Sequence, residues 1–335
     1  MCPPKSPEEH DDYGWRQNWT PRFSCRRELK PPSEERSEAS LPSDDDPLYS
    51  RVMSETRSGS NPFAELLRSD PASDGVFRAF LPGFGGVTLG CATLLAARSS
   101  ALSLHSLHVY FLRAVPTDRP AELVVSRVRD GRRFAHRRVE VRDGERVCCE
   151  LVASFAAPAD GTEYQEPSQG PAVPLPEMLP TEEDLARKEG WDPEERGPIG
   201  QLLEWRFVGE SPWQPTGARG TSVYRGWVRP RVPLPDDPAL HAAALAFLAD
   251  MHSHLGVARR LGTHFEPTGY TSLDQALWVH HHDPWNDWRL LTTVSDVAHA
   301  GRAWTRRTLH ARDGRLVASM AQEQWLAFEA PPLGT

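Results

Sequence analysis

The chain is poor in cysteine. It has 335 residues and five cysteines, Cys2, Cys25, Cys91, Cys148 and Cys149. An odd number, two of them adjacent, does not make a disulfide framework. No apolar run approaches the roughly 18 residues that a membrane-spanning helix requires, so no span is expected. The opening MCPPKSPEEHDD has no apolar core of the kind that marks a secretory signal. Basic charge is not in excess either. The formal net charge is −8, with a pI near 5.9. Nucleic acid is therefore not expected as the main partner, because phosphate binding needs a basic surface. Together these absences predict a soluble, cytoplasmic protein. Hydrophobic residues make up only 39%, so part of the chain is expected to stay outside the folded body.

That part is residues 1–60, rich in Pro, Ser, Glu and Arg, with an acidic run at Asp44-Asp45-Asp46. It offers too little apolar surface to offset the entropy of ordering, and Trp15 and Trp19 could at most form a short anchor. A first folded unit is expected over 61–157, then a Pro- and Glu-rich linker over 158–200. Thr181 and Asp184 mark a short capped helix inside the linker. A second unit is expected over 201–330.

The two units repeat each other. GRRFAHRRVEVRDG (131–144) is echoed by GRAWTRRTLHARDG (301–314). Asp143-Gly144 and Asp313-Gly314 fall at matching points and read as two-residue hairpin turns. Each hairpin follows a helical run and a Ser-Leu strand start. The runs are Gly86–Arg98 before Ser106-Leu107, and Leu240–Leu255 before Ser272-Leu273. Asp237 and Pro238 open the second helix as N-cap and first turn. Its predicted apolar stripe is Leu240, Ala244, Phe247, Leu248, Met251 and Leu255. Two copies of helix, strand and hairpin predict a duplicated α+β unit. Only the second helix carries an acid, Asp250, so at most one copy is expected to be catalytic.

Five strings, in order over residues 61–330, carry a resemblance. They are FGGVTLG (84–90), HSLHVYFLR (105–113), LHAAALAFLADM (240–251), SLDQALWVHH (272–281) and LVASMAQEQWL (316–326). Together they resemble the acyl-CoA thioesterase II family. The resemblance implies a double hot-dog fold, two antiparallel sheets each wrapping a central helix. It implies hydrolysis of a fatty acyl-CoA to free acid and coenzyme A, with no metal or other cofactor. Matched residue by residue, it places the water-activating Asp at Asp250 and its partners at Ser272 and Gln322. The chain departs from the family pattern at Val87 (usually Gln), Gln275 (usually His) and His281 (usually Arg). The substrate partner is then an acyl-CoA, and association into a homo-oligomer is left open.

The residues support a site on their own chemistry. Asp250 shares a helix face with Ala243, Ala246 and Phe247, and a carboxylate among apolar groups is a stronger base. Ser272 and Gln322 each donate and accept hydrogen bonds, so they can aim a water. Gln322 alternates with Met320 and Gln324, so these three should share a strand face. Gly85-Gly86 reads first as a tight turn requiring positive φ, and second as a source of N–H groups for an oxyanion. His280, His281 and His282 would alternate faces on a strand, which does not suit a metal, so they read as a strand end running into a loop. Two rivals remain. His254, four residues after Asp250, would make an Asp–His hydratase pair, and the loss of the family Gln and His would suit a non-catalytic thioester-binding protein.

Overall fold

The computed structural model describes residues 60–166, 173–188, 190, 197–209, 220–262 and 270–326. The expected tail, with Trp15 and Trp19, lies outside the described residues except for Ser60, as does any strand residue beyond Leu326.

The first half opens with a short helix α1 (Pro62–Leu66), whose N-cap Asn61 accepts from the amides of Phe63 and Ala64. A hairpin follows, β1 (Asp70–Ser73) and β2 (Val76–Ala79). The sequence reading had passed over it, although Asp74-Gly75 is a turn signal and Gly75 adopts φ +69. Next come helix α2 (Gly85–Arg98) and strands β3 (Ser103–Phe111), β4 (Ala121–Asp130), β5 (Phe134–Asp143) and β6 (Arg146–Ala156). Between the halves are helices α3 (Glu182–Lys188) and α4 (Gly197–Gly200). The second half has β7 (Leu203–Phe207), β8 (Val223–Pro230), helix α5 (Pro238–Asp250), helix α6 (Leu255–Leu261), and β9 (Tyr270–Val279), β10 (Arg289–His299), β11 (Arg302–Ala311) and β12 (Leu316–Leu326).

All twelve strands form one antiparallel sheet in the order β1-β2-β4-β5-β6-β3-β9-β12-β11-β10-β8-β7. The order mirrors itself about the β3–β9 seam, where Leu107 faces Leu277 and Val109 faces Gln275. The two hot-dog sheets are thus fused edge to edge, and neither half leaves its inner edge unpaired. At one outer edge, β7 is lined by the linker. Arg206 donates to the Leu179 carbonyl, and Trp227 of β8 donates to the Pro174 carbonyl. The expected cap on α3 is reciprocal, with Asp184 N–H donating to Thr181 Oγ1 at 2.9 Å and Thr181 N–H returning to Asp184 Oδ2.

Helices α2 and α5 pack against each other on the inner face. α5 is buried on nearly every side, including Leu240, Ala243, Ala246, Phe247 and Ala249. This replaces the predicted stripe, since a helix covered by both a sheet and a second helix is apolar all round. Gly86 and Gly90, one turn apart, permit the close approach. A Cβ on Gly86 would lie 2.9 Å from the Phe247 carbonyl oxygen, and one on Gly90 would lie 3.4 Å from that of Ala243. Phe247 seals the contact, edge-on to Phe63 at 5.2 Å and to Phe84 at 5.5 Å. Each such ring pair contributes about 0.5–1.5 kcal/mol beyond area burial. Cys91 is fully buried here.

The two copies turn differently. Asp143 pairs with Arg146, so the first loop is Gly144-Glu145, one residue later than predicted. Gly at its first position, φ +59, matches the type II′ requirement. The second loop is longer, residues 312–315, because Asp313 Oδ1 accepts from Arg315 N–H and rounds the chain in an Asx turn.

Candidate active site

Asp250 is the last residue of α5 and is 6% exposed. The reading that carried this helix on to Leu255 is corrected here. Met251 leaves helical geometry with ψ 126, and His252 takes φ +56. The stop comes from another part of the fold. Arg307 of β11 is fully buried and donates to the carbonyls of Leu248, Ala249 and Met251 at 2.7–3.0 Å, and to Thr293 Oγ1 at 3.0 Å. These are the orphan acceptors of a helix C-terminus, and a cation is the favoured partner there. Burial lowers the Arg307 pKa to about 10, which still leaves it charged at neutral pH.

Three segments converge on the carboxylate. Ser272 Oγ donates to Asp250 Oδ1 at 2.8 Å. Gln322 Nε2 donates to the same oxygen at 2.8 Å and to Ser272 Oγ at 2.7 Å. The Gly86 amide, in the first turn of α2, also favours the charge on the carboxylate. Ser272 reaches the inner face because Leu273 is an extra residue. Ser272 pairs with Gln324 and Asp274 with Glu323, a bulge that re-aims one side chain next to a site. Gln322 is 1% exposed, flanked inward by buried Met320 and Gln324 as the alternation predicted. Burial is the main influence on Asp250 and raises its pKa. The bonds from Ser272 and Gln322, the Arg307 charge and the Gly86 amide oppose the rise.

Gly85 and Gly86 were read first as a positive-φ turn. That conformation belongs to Gly83, at φ +74, while Gly85 and Gly86 are helical. They are glycines for space. A Cβ on Gly85 would lie 2.7 Å from Asp250 Oδ2 and 3.3 Å from the Phe111 ring. Gly85→Ala should therefore displace the carboxylate without unwinding α2, since Ala is the better helix former. We expect kcat/KM to fall about 10²-fold, the effect of displacing a reacting group by about 1 Å, with the circular dichroism spectrum retained.

His254 does not share the Asp250 face, because the helix has ended. It is the N-cap of α6, its ring lies 4.9 Å from Tyr270, and burial pushes its pKa down to about 4. β9 ends at Val279 and His280–His282 run on into a loop, as expected, with His280 bonding Ser319 Oγ at 3.0 Å. Sequence reasoning missed Arg307. The signal was present, as the repeat carries a paired arginine in both copies. The other, Arg137, is also buried and donates to the carbonyl of Ser99, the C-cap of α2.

Two family models match the chain, the acyl-CoA thioesterase N-terminal domain over residues 82–156 and the acyl-CoA thioesterase C-terminal domain over residues 176–326. The chain belongs to the acyl-CoA thioesterase II family. Among curated members, it is 30% identical to human acyl-coenzyme A thioesterase 8, over 77% of this chain and 86% of that one. It is 25% identical to acyl-CoA thioesterase 2 of Haemophilus influenzae, over 80% of this chain and 98% of that one. A solved acyl-CoA thioesterase II from Mycobacterium marinum superposes with a TM-score of 0.65 at 29% identity, covering 80% of this chain and 99% of the other. The double hot-dog architecture expected of a thioesterase II is the one observed. No helix among the described residues is long and apolar enough to cross a membrane.

Proposed function

We propose that this thioesterase II family member hydrolyses acyl-CoA thioesters, with Asp250 as general base toward the attacking water. The supporting observation is a buried carboxylate fixed by Ser272 and Gln322 in a family whose named relatives are acyl-CoA thioesterases. Burial makes Asp250 a stronger base than a solvated Asp. Gln322 spends both amide hydrogens on Asp250 and Ser272, and its buried Oε1 has no partner among the described residues. In this reading that oxygen accepts one hydrogen of the water while Asp250 takes the other.

The water oxygen adds to the thioester carbonyl carbon as its proton passes to Asp250, and the carbonyl oxygen becomes an oxyanion. When the tetrahedral species collapses, the carbon–sulfur bond breaks and the proton moves from Asp250 to the departing sulfur. The products are a free acid and the coenzyme A thiol, and the carboxylate is regenerated. The test is thiol release from a panel of acyl-CoAs. The wild-type chain should release thiol from at least one. Ser272→Ala and Gln322→Ala should each lower kcat about ten- to a hundredfold, the loss of one hydrogen bond to a charged group. Binding of acyl-CoA by a folded chain without any thiol release would favour the non-catalytic reading.

A further inference from the structure

One buried amide near the site has no structural employment. Gln275, in the middle of β9, is 2% exposed. Neither its Oε1 nor its Nε2 has a hydrogen-bond partner among the described residues. An unpaired buried amide works against folding, so a reason for its presence has to come from elsewhere.

Its position supplies one. Gln275 is the direct partner of Gln322 in the β9–β12 ladder. Opposed residues point to the same face, with Cβ atoms about 4.5–5.5 Å apart. Gln322 Nε2 lies 2.8 Å from Asp250 Oδ1, so the Gln275 amide sits one side chain away from the carboxylate. On its other side, in β3, the ladder partner is Val109, which is apolar and 1% exposed. The bulge at Leu273 allows Ser272 and Gln275, three residues apart, to share the inner face.

The donors around Asp250 can be assigned in turn. Both hydrogens of Gln322 Nε2 are committed, to Asp250 and to Ser272. Ser272 Oγ donates to Asp250. The Gly86 amide, the helix-start donor suggested for an oxyanion, is directed at the Asp250 carboxylate. Gln275 Nε2 is the side-chain amide beside the site that remains uncommitted among the described residues.

We infer that Gln275 is a catalytic residue whose Nε2–H donates to the thioester carbonyl oxygen and stabilises it as an oxyanion when water adds. The inference rests on the thioesterase reading with Asp250 as base. It makes the two strand amides complementary, Gln322 aiming the water and Gln275 holding the oxygen that gains charge. A donor of this kind is preorganised, so its hydrogen bond is made when the charge develops.

The test is Gln275→Leu, read by steady-state thiol release and by melting temperature. Loss of an oxyanion donor lowers kcat about 10²–10³-fold, and KM should change by no more than a few-fold. The melting temperature should stay level or rise by about 2–4 °C, since an unpaired amide is exchanged for an apolar group of similar size. Gln275→His, which restores an N–H, should recover much of kcat. A purely structural glutamine would show the reverse pattern, with lower melting temperature in Gln275→Leu. If that variant does not fold, Gln275→Met serves as the second apolar replacement, and failure of both to fold would overturn the inference. Wild-type kcat in folded Gln275→Leu would overturn it too, while leaving Asp250 as base untouched. A wild-type chain that releases no thiol would sink the thioesterase reading, and this inference with it.

Discussion

Asp250→Asn should lose about 10²–10⁴ of the thiol-release rate, the contribution of a positioned general base, yet melt within about 2–4 °C of the wild type at pH 7. The rate follows from the loss of the proton acceptor. The stability follows from the direction of the Asp250 shift. Burial is its largest cause and raises the folded-state pKa above the unfolded value of about 3.9. A raised pKa means the folded state binds the proton more tightly. Stability from this group is therefore fully present below the unfolded value and is lost as pH rises through the folded value. Once ionised, the buried carboxylate opposes folding, and asparagine removes that charge. One hydrogen-bond acceptor facing Gly86 is given up in exchange. Melting measured across pH should show the wild type gaining on the variant as the medium is acidified through the Asp250 pKa. The same ionisation sets the acid limb of kcat/KM, which should fall above the ordinary aspartate range. A variant that loses its fold at pH 7, or retains wild-type turnover, would contradict the assignment.

Most of the strands, the order of elements and the three side chains gathered around Asp250 were legible because each has a local signature. Asp237-Pro238 opens α5 where the sequence said it would, and the alternation of Met320, Gln322 and Gln324 survives as three buried side chains. What was not legible was set by contacts between distant segments. Nothing in Asp250-Met251-His252-Ser253 is a helix stop. The stop is the Arg307 guanidinium, 56 to 59 residues further along the chain. Gly85 resembled a turn glycine because the residue it makes room for, Asp250, lies in the other repeat.

The single acid of the duplication also has a structural explanation. The C-terminal end of each central helix meets the N-terminal end of the other. At one crossing, Asp250 meets the start of α2, whose N-cap Phe84 makes no side-chain cap, so the Gly86 amide is available to the carboxylate. At the other, Arg98 meets the start of α5, where Asp237 caps the amides of Ala239 and Leu240 and pairs with Arg98 at 3.3 Å. The strand ladders agree. Gln322 stands opposite Thr305, whereas at the matching place in the first copy buried Phe155 stands opposite Ala135. The first crossing leaves a carboxylate with polar strand partners, and the second consumes its charges in a surface ion pair. The first half still brings Gly86 to the Asp250 carboxylate, so the candidate site draws on both halves.

The buried arginines separate stability from chemistry. Arg307→Met leaves the carbonyls of Leu248, Ala249 and Met251 without their donor. At about 1–3 kcal/mol for each unsatisfied buried acceptor, the loss is at least about 3 kcal/mol, or roughly 6–12 °C in melting temperature. Arg137→Met should be similarly damaging, since Arg137 donates to the carbonyls of Ser99, Arg129 and His136 and pairs with Asp130 at 2.6 Å. The pH profiles should differ. Arg307 is a charged group that acts on Asp250, and its charge lowers the carboxylate pKa. The titratable groups beside Arg307 do not replace it. Tyr224 is buried with its pKa raised well above normal, and His254, at about 4, is neutral at pH 7. Removing Arg307 should therefore raise the Asp250 pKa further and carry the acid limb of kcat/KM to higher pH, with a lower plateau as the end of α5 loosens. Arg137→Met should leave the limb in place, and Arg307→Lys, which keeps the charge with fewer donors, should melt early but hold the limb near wild type. Indistinguishable pH profiles for Arg307→Met and Arg137→Met would mean that Arg307 is a helix cap alone, with no hold on the Asp250 carboxylate.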